Sequence, residues 1–155
     1  MNEEAKMDQL CEHFLQTVHQ FGQLEKEMHT YGTKQKLHLS ETHTIVDIGN
    51  NDCINITKLA KLQGISKSAA SQMVSRLVKK GFIRRELSPK TENEVVLSLT
   101  ESGEKICKWH EKQHIWLRKR LSSILADYPS DTIAQLQSLM TSLQSLWETI
   151  PEQVK

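Results

Sequence analysis

The sequence has little of what characterises secreted or membrane proteins. Its 155 residues include only three cysteines, three prolines and six glycines. Cys11, Cys53 and Cys107 are odd in number and far apart, so we expect no disulfide framework and a reducing, cytoplasmic environment. We expect no membrane span, because no run of about 18 apolar residues occurs. We also expect no secretory signal, because the start MNEEAKMDQL is acidic and lacks an apolar core.

The sequence also lacks a charge excess and recognisable catalytic motifs. Lys and Arg total 20 and Asp and Glu total 19, which gives a formal net charge of +1. A nucleic-acid-binding protein with this balance must gather its cations on one part of its surface. The chain contains no glycine-rich phosphate loop, no nucleophile elbow and no cysteine–histidine pair in motif context. We therefore expect that it is not an enzyme.

Amphipathic helices are predicted at both ends of the chain. Apolar residues recur there at intervals of three and four, which is typical of a helix with one buried face. The first helix covers about residues 7 to 30 and the last about residues 131 to 149. Between them, Ser40 is expected to cap a short helix that Gly49 ends.

The stretch ITKLAKLQGISKSAASQMVSRLVKKG predicts two helices joined by a tight turn. The first helix covers Thr57–Gln63 and ends at Gly64, and Ser66 caps a second helix over Lys67–Lys80 that Gly81 closes. Two short helices joined in this way form a helix-turn-helix. The residues expected to face inward are Leu59, Ala60 and Leu62 in the first helix and Ala70, Val74, Leu77 and Val78 in the second.

A hairpin and a long helix follow the helix-turn-helix. The segments FIRREL and EVVLSL have the alternation of short strands, and SPKTEN between them is a loop, so the pair predicts a wing. Thr100 is expected to cap the long helix. We expect the apolar face of that helix to be a buried seam that also contains His110 and His114. The apolar residues of this seam are Ile106, Leu117, Leu121 and Ile124.

In its motifs and their order, the chain resembles the multiple-antibiotic-resistance regulator (MarR) family. The resemblance rests on ITKLAKLQGISKSAASQMVSRLVKKGFIRR and VVLSLTESGEKI. It implies a mainly α fold with a small β-wing, in one domain spanning residues 1–155. Residues 1–38 and 101–155 would be dimerisation helices around a winged helix-turn-helix at 40–100. The family resemblance further implies a cytoplasmic homodimer that represses transcription from a near-palindromic double-stranded DNA operator.

The predicted DNA-binding residues lie mainly on the outer side of the recognition helix. Gln72 can bond adenine bidentately, and Arg76 or Lys67 can bind guanine or phosphate. The family places an arginine at the wing tip, but this chain has Thr91, Glu92 and Asn93 there, so only Lys90 supplies a cation. The alternative is an ordinary solvated helix face. The complete predicted set is Ser66, Lys67, Ser68, Ser71, Gln72, Ser75, Arg76 and Lys90.

The stretch WHEKQHIW raises the question of a metal site. His110 and His114 are four apart, so they lie on one face of a helix and can chelate a divalent metal, zinc first by ligand type. Zinc-responsive members of the family resembled use a Glu from the first helix, a His from the second and a His-x-x-x-His pair on the fifth. That resemblance adds Glu25 and His43 to the set. Spare donors are Glu41, Glu111, Cys107 and His29. The alternative is that the histidines of this helix are ordinary surface or core residues that bind no metal.

Other effectors and other classes of protein stay open at this point. A small aromatic compound could release DNA from an interdomain pocket, which Trp109 and Trp116 would line unless they pack in the dimer core. Oxidation of a cysteine thiol is a further route. Iron- and manganese-dependent repressors also place a His-Glu pair after a wing, but their helix-turn-helix begins nearer the N-terminus. A dimeric interaction module without DNA is the remote option.

Overall fold

The computed structural model describes residues 2–27, 37–91 and 93–149, and it has six helices and one hairpin in this part of the chain. This architecture confirms the predicted mainly α fold with a β-wing. By contacts, the chain divides into two compact units, residues 1–113 and 114–155. The elements in order are α1 Glu3–Glu27, α2 Leu39–Asn50, α3 Ile56–Gln63, α4 Lys67–Lys79, β1 Ile83–Leu87, β2 Val95–Leu99, α5 Glu101–Leu125 and α6 Ser130–Thr149.

The hydrophobic core of the first unit lies between α2, the helix-turn-helix, the wing and the start of α5. Each of these elements contributes an apolar side chain that is almost completely buried, at 0–2% exposure. Burying each such side chain stabilises the fold by about 1.5–3 kcal/mol relative to leaving it exposed. The largest of them are Ile45, Leu59, Leu77, Ile83 and Ile106.

The helix-turn-helix has the ends that its sequence predicts. Gly64 adopts φ 63° at the end of α3, and Gly81 adopts φ 79° after α4, which are left-handed conformations that glycine takes without strain. The Ser66 hydroxyl accepts a hydrogen bond from the Ala69 N–H at 3.1 Å, so its predicted capping role is confirmed. Leu62, which was predicted to face inward, is 53% exposed. The inner face of this short helix is occupied by Leu59 and Ala60, which leaves Leu62 at its solvent edge.

The predicted boundaries of α2 are wrong. The helix begins at Leu39 with His38 as N-cap, and the backbone N–H of His38 donates to the Glu41 carboxylate at 2.9 Å. A carboxylate three residues into a helix can satisfy such an N–H, so the glutamate rather than Ser40 closes this end. The helix also continues past Gly49 to Asn50. A Cβ at Gly49 would lie 2.8 Å from the Cys107 sulfur, so this glycine serves close packing and not helix termination.

The wing is an antiparallel pair that is anchored at its base. Its register runs from Ile83 opposite Leu99 to Leu87 opposite Val95. The loop before α3 joins it, because the Leu97 N–H donates to the Ile54 carbonyl at 2.8 Å. The predicted helix cap at the end of the wing is confirmed, since the Thr100 hydroxyl accepts from the Gly103 N–H at 3.2 Å.

The terminal helices expose most of their apolar side chains in the single chain. No described residue of α6 is buried. His114, Leu121 and Ile124 are exposed, so the prediction of a continuously buried seam along α5 is wrong for one chain. The described part of the second unit consists of the end of α5 and α6, and two helices cannot enclose their own apolar faces. Within the described ranges, no helix is long and apolar enough to cross a membrane.

Two threonines of α2 offer a matched test of buried hydroxyls. Thr42 and Thr44 are both fully buried, but the Thr42 hydroxyl has no hydrogen-bond partner among the described residues. The Thr44 hydroxyl donates to the Ser40 carbonyl at 2.8 Å and accepts from Gln63 at 3.0 Å. We expect Thr42→Val to leave the free energy of unfolding unchanged or higher, and Thr44→Val to lower it by about 1 kcal/mol. Urea denaturation measures both, and a larger loss for Thr42→Val would contradict the hydrogen-bond assignment.

Candidate DNA-binding and metal-binding sites

The outer face of α4 is polar and exposed, and its surroundings are basic. Lys67, Ser68, Gln72 and Arg76 are exposed, and Ser71 is half-buried on the same helix. Residues 53–85 contain no aspartate or glutamate, so a positive region is concentrated in this module although the whole chain is nearly neutral. The cations of this module are Lys58, Lys61, Lys67, Arg76, Lys79, Lys80, Arg84 and Arg85.

Two of the serines predicted to contact DNA have partners within the chain. The Ser66 hydroxyl caps α4, and the Ser75 hydroxyl accepts a hydrogen bond from the Arg85 guanidinium at 2.9 Å. This contact holds Arg85, from β1, beside the recognition helix. Arg85 was not among the residues predicted to contact DNA. The alternation of residues in β1 predicts that the Arg85 side chain is exposed, but it does not predict how close that side chain lies to α4.

The loop that joins the two wing strands carries charges of both signs. Lys90 is exposed at the tip, whereas Glu92 lies outside the described residues. At the other end of the same loop, directly before β2, the Glu94 carboxylate accepts a hydrogen bond from the Asn55 side chain, which also caps α3. Hydrogen bonds from Asn55 and Thr91 lower the pKa of Glu94, and this carboxylate is therefore ionised at neutral pH. The wing loop thus carries a negative charge that would repel phosphate.

Operator affinity should depend on the recognition helix more than on the wing tip. We expect Gln72→Ala and Arg76→Ala each to lower it by about 1–3 kcal/mol, which is the typical contribution of a bidentate base contact. Lys90→Ala should cost less and should weaken specific and non-specific DNA equally, because a lysine at the tip can contact only phosphate. Fluorescence anisotropy with operator and scrambled duplexes gives these affinities. If Lys90→Ala is the most damaging change, this assignment is wrong.

Three of the four predicted metal ligands lie close together, although each comes from a different helix. The His43 Nε2 atom of α2 is 3.4 Å from the Glu25 Oε1 atom of α1. The rings of His43 and His110, the latter on α5, are 5.9 Å apart between centroids and nearly perpendicular. All three side chains are partly exposed, so an ion could reach them. His114 lies one helical turn after His110 on α5, in the second unit, and is exposed.

The donors fit a divalent metal by type and, for one pair, by distance. Zinc binds imidazole nitrogen and carboxylate oxygen at about 2.0–2.2 Å, so two donors of one tetrahedral ion lie about 3.3 Å apart. The Glu25–His43 distance is close to that value. Within the described ranges, however, no group of three or more His, Cys, Asp or Glu side chains is already arranged around one metal position. The His110 ring would therefore have to shift toward the pair.

The spare donors are poorly suited to complete such a site. Glu41 is 2% exposed and holds Lys80 at 2.7 Å through both oxygens. Burial raises the pKa of Glu41, but hydrogen bonds from Lys80 and His38 outweigh it, so the pKa is lowered overall. The thiol of Cys107 donates to the Ile45 carbonyl at 3.6 Å. Glu111 is exposed, and His29 lies outside the described residues.

The three thiols differ in their capacity for oxidation or alkylation. Burial, with Glu104 and Glu111 nearby, raises the pKa of Cys107 to about 11, so roughly one thiol in a thousand is ionised at pH 8. We expect iodoacetamide at pH 8 to label the exposed Cys11 rapidly and Cys107 slowly, as followed by mass spectrometry. Equal labelling of both cysteines in the folded protein would contradict this order and would make Cys107 a candidate thiol switch.

A cavity connects the predicted metal ligand on α2 with the predicted DNA-reading residues on α4. Its volume is about 540 Å³. Sequence analysis treated His43, Gln72 and Arg76 as parts of two separate sites, but all three line this cavity. A change in the position of α2 therefore has a direct route to the recognition helix. The lining residues are Ser40, His43, Thr44, Asp47, Gln63, Ile65, Ala69, Gln72, Met73 and Arg76.

The chain is similar to known regulators in sequence and in fold. The family model described as MarR family matches residues 37–92. The HTH-type transcriptional regulator YhjH of Bacillus subtilis is 25% identical over 155 residues, which cover 100% of this chain and 86% of YhjH. The structure of FabT from Streptococcus pneumoniae in complex with DNA matches with a TM-score of 0.73 and 22% identity, over 92% of this chain and 99% of that chain. The zinc-responsive MarR family member ZitR from Lactococcus lactis matches with a TM-score of 0.70 and 17% identity, over 91% and 99%.

Proposed function

The chain belongs to the MarR family of DNA-binding transcriptional regulators, and from this premise we propose that it acts in the cytoplasm as a homodimeric repressor of a near-palindromic operator. The observation that carries the proposal is the exposed polar face of α4 within a module that has no acidic residue between positions 53 and 85. Two recognition helices related by a two-fold axis would enter successive major grooves. A single recognition helix would bury too little surface for the specificity that an operator requires.

The dimer interface would be built from the terminal helices, at residues 1–38 and 101–155. Each of these helices exposes large apolar side chains, and such uncovered apolar surface typically marks a protein–protein interface. A second copy of the chain supplies the missing cover. The residues that support this proposal are Leu10, Val18 and Phe21 in α1, Trp116, Leu121 and Ile124 in α5, and Leu139, Leu146 and Trp147 in α6.

The proposed effector is a divalent metal ion, zinc first, held by Glu25, His43, His110 and His114. Imidazole nitrogens and one carboxylate oxygen are a typical ligand set for zinc, and the bound ion would supply a positive centre that neutralises the carboxylate. The proximity of Glu25, His43 and His110 supports this assignment, as does the similarity in fold to a zinc-responsive regulator. Because His43 and Arg76 line one cavity, the side chain that binds metal also borders the recognition helix.

Operator binding measured with and without metal tests this function. Anisotropy with a duplex from the regulated promoter should show DNA affinity that differs by about 5–150-fold between excess zinc and excess chelator. The metal effect should weaken as the pH is lowered, because protonated imidazoles cannot bind metal. Identical affinity in zinc and in chelator would remove metal control but would leave the DNA-binding function intact. No binding to any promoter duplex would contradict the DNA-binding function itself.

The second candidate effector is a small aromatic carboxylate in the cavity between α2 and α4. Its volume of about 540 Å³ lies within the usual range for ligand sites, and Ile65 and Met73 give it apolar walls beside the Arg76 guanidinium. A compound there would compete with DNA for the Arg76 guanidinium. Benzoate and its hydroxylated relatives should then release the operator in the presence of chelator. Release that requires metal would favour the first effector.

A further inference from the structure

The ion pair of Glu41 and Lys80 joins the two helices that matter most for the proposed regulation. Glu41 lies in the first turn of α2 and is 2% exposed. Both of its oxygens lie 2.7 Å from the Lys80 ammonium, and one of them also accepts the His38 N–H at 2.9 Å. Lys80 is the C-cap of the recognition helix α4. The two residues are 39 positions apart, so only the folded structure brings them together.

The charges of this pair match the ends of the helices that carry them. The N-terminus of a helix favours a negative charge and the C-terminus a positive one. Glu41 sits at the N-terminal end of α2 and Lys80 at the C-terminal end of α4, so both helix ends reinforce the pair. The Glu41 carboxylate is buried and the Lys80 side chain is 29% exposed. An ion pair with a buried partner adds little net stability, because the buried charge loses water, and its best-attested use is to fix one arrangement of the chain.

We infer that the Glu41–Lys80 pair is a strut that sets the orientation of the recognition helix, and that Lys80 does not contact DNA phosphate. The inference rests on the proposed operator binding. From Lys80, the helix extends about 20 Å to its first residue, so a rotation of about 5° would displace Lys67 by about 1.7 Å. Hydrogen bonds to bases tolerate only a few tenths of an ångström. Glu41 and Lys80 are thus positioning residues for base recognition.

The decisive variant is Glu41→Gln combined with Lys80→Met. Lys80→Met leaves the buried Glu41 carboxylate without its ammonium partner, whereas removing both charges avoids that penalty and should restore the urea midpoint lost in Lys80→Met alone. We expect the double variant to bind operator at least about tenfold more weakly, a loss of about 1.4 kcal/mol, with unchanged affinity for scrambled DNA. Glu41→Gln alone preserves the shape and an acceptor, so it gives the same test at smaller amplitude if the double variant does not fold.

The matched control is Lys79→Met, which removes the neighbouring exposed cation of the same helix. It should weaken operator and scrambled DNA alike and reduce the slope of log affinity against log salt by about one, as the loss of a phosphate contact does. Lys80→Met should leave that slope unchanged. A reduced slope for Lys80→Met, or wild-type operator affinity in the double variant, would overturn the strut alone. Wild-type protein that binds no operator would overturn the proposed function and this inference with it.

Discussion

Replacing Gly103 with alanine should destabilise the protein more than the same change at any other glycine that the structure describes. A Cβ at this position would collide with the carbonyl oxygen of Phe82 and lie 3.3 Å from two atoms of Leu99. The Phe82 carbonyl cannot move away cheaply, because it accepts the Thr100 N–H at 3.0 Å where the wing meets α5. Overpacking against side chains typically costs about 1–3 kcal/mol, so against backbone we expect about 3 kcal/mol or more.

Gly22→Ala is the matched control for this substitution. Gly22 lies inside α1, and an added Cβ would meet nothing within 4 Å. There the same methyl group should raise the free energy of unfolding by about 0.5–1 kcal/mol, because alanine loses less backbone entropy in a helix. Urea denaturation of both variants gives the comparison. Equal effects of the two changes would show that the close approach of α5 to the wing does not constrain residue 103.

The combination of His43→Ala and His110→Ala should abolish the metal response completely. These two imidazoles come from α2 and α5, and their removal leaves only Glu25 and His114 of the proposed ligand set. The variant should take up no zinc at micromolar concentrations, and its operator affinity should be the same in zinc and in chelator. The expected loss equals the whole coupling free energy, about 1–3 kcal/mol. Competition with a chromophoric chelator reports zinc affinity, and anisotropy reports DNA binding.

Two histidines of α1 provide the control for that experiment. His13 and His19 are exposed and lie outside the proposed site, so replacing both with alanine removes the same number of imidazoles. This variant should keep the zinc response of the wild type. Loss of the response in the control, or its survival in the double variant of His43 and His110, would contradict the assignment of the ligands. His114→Ala alone then tests the fourth ligand by its effect on zinc affinity.

Elements whose signals lie within a few residues are predictable from this sequence. Ser66 is followed by a helix whose third N–H it caps, and Gly64 and Gly81 stand where the chain must turn in the left-handed region. The period of the apolar residues changes from helix to strand at Phe82 and back after Thr100. These interactions span three or four positions, so residue type and spacing determine them before any tertiary contact forms.

Part of the proposed set of metal ligands was also predictable from local spacing in the sequence. The spacing of His110 and His114 puts both on one face of a helix, which follows from helix geometry alone. Glu25 and His43 entered only through the resemblance to zinc-responsive regulators. Their distance of 3.4 Å depends on how α1 packs against α2, which the pattern of either helix leaves undetermined. The shared cavity of His43 and Arg76 was missed for the same reason.

Only the tertiary structure decided the contacts between residues that are far apart in the chain. The local position of Glu41 makes it a helix-capping carboxylate, but the fold also pairs it with Lys80. Ser75 has an ordinary exposed position on its helix, and only the fold brings Arg85 of the wing into hydrogen-bond contact with it. Position 49 requires glycine because Cys107 packs against it, and not because the helix ends there. The sequence by itself determined the winged helix-turn-helix through local caps and periods. The orientation of the recognition helix depends on these distant contacts, whose partners are chosen by packing and by the burial of charge.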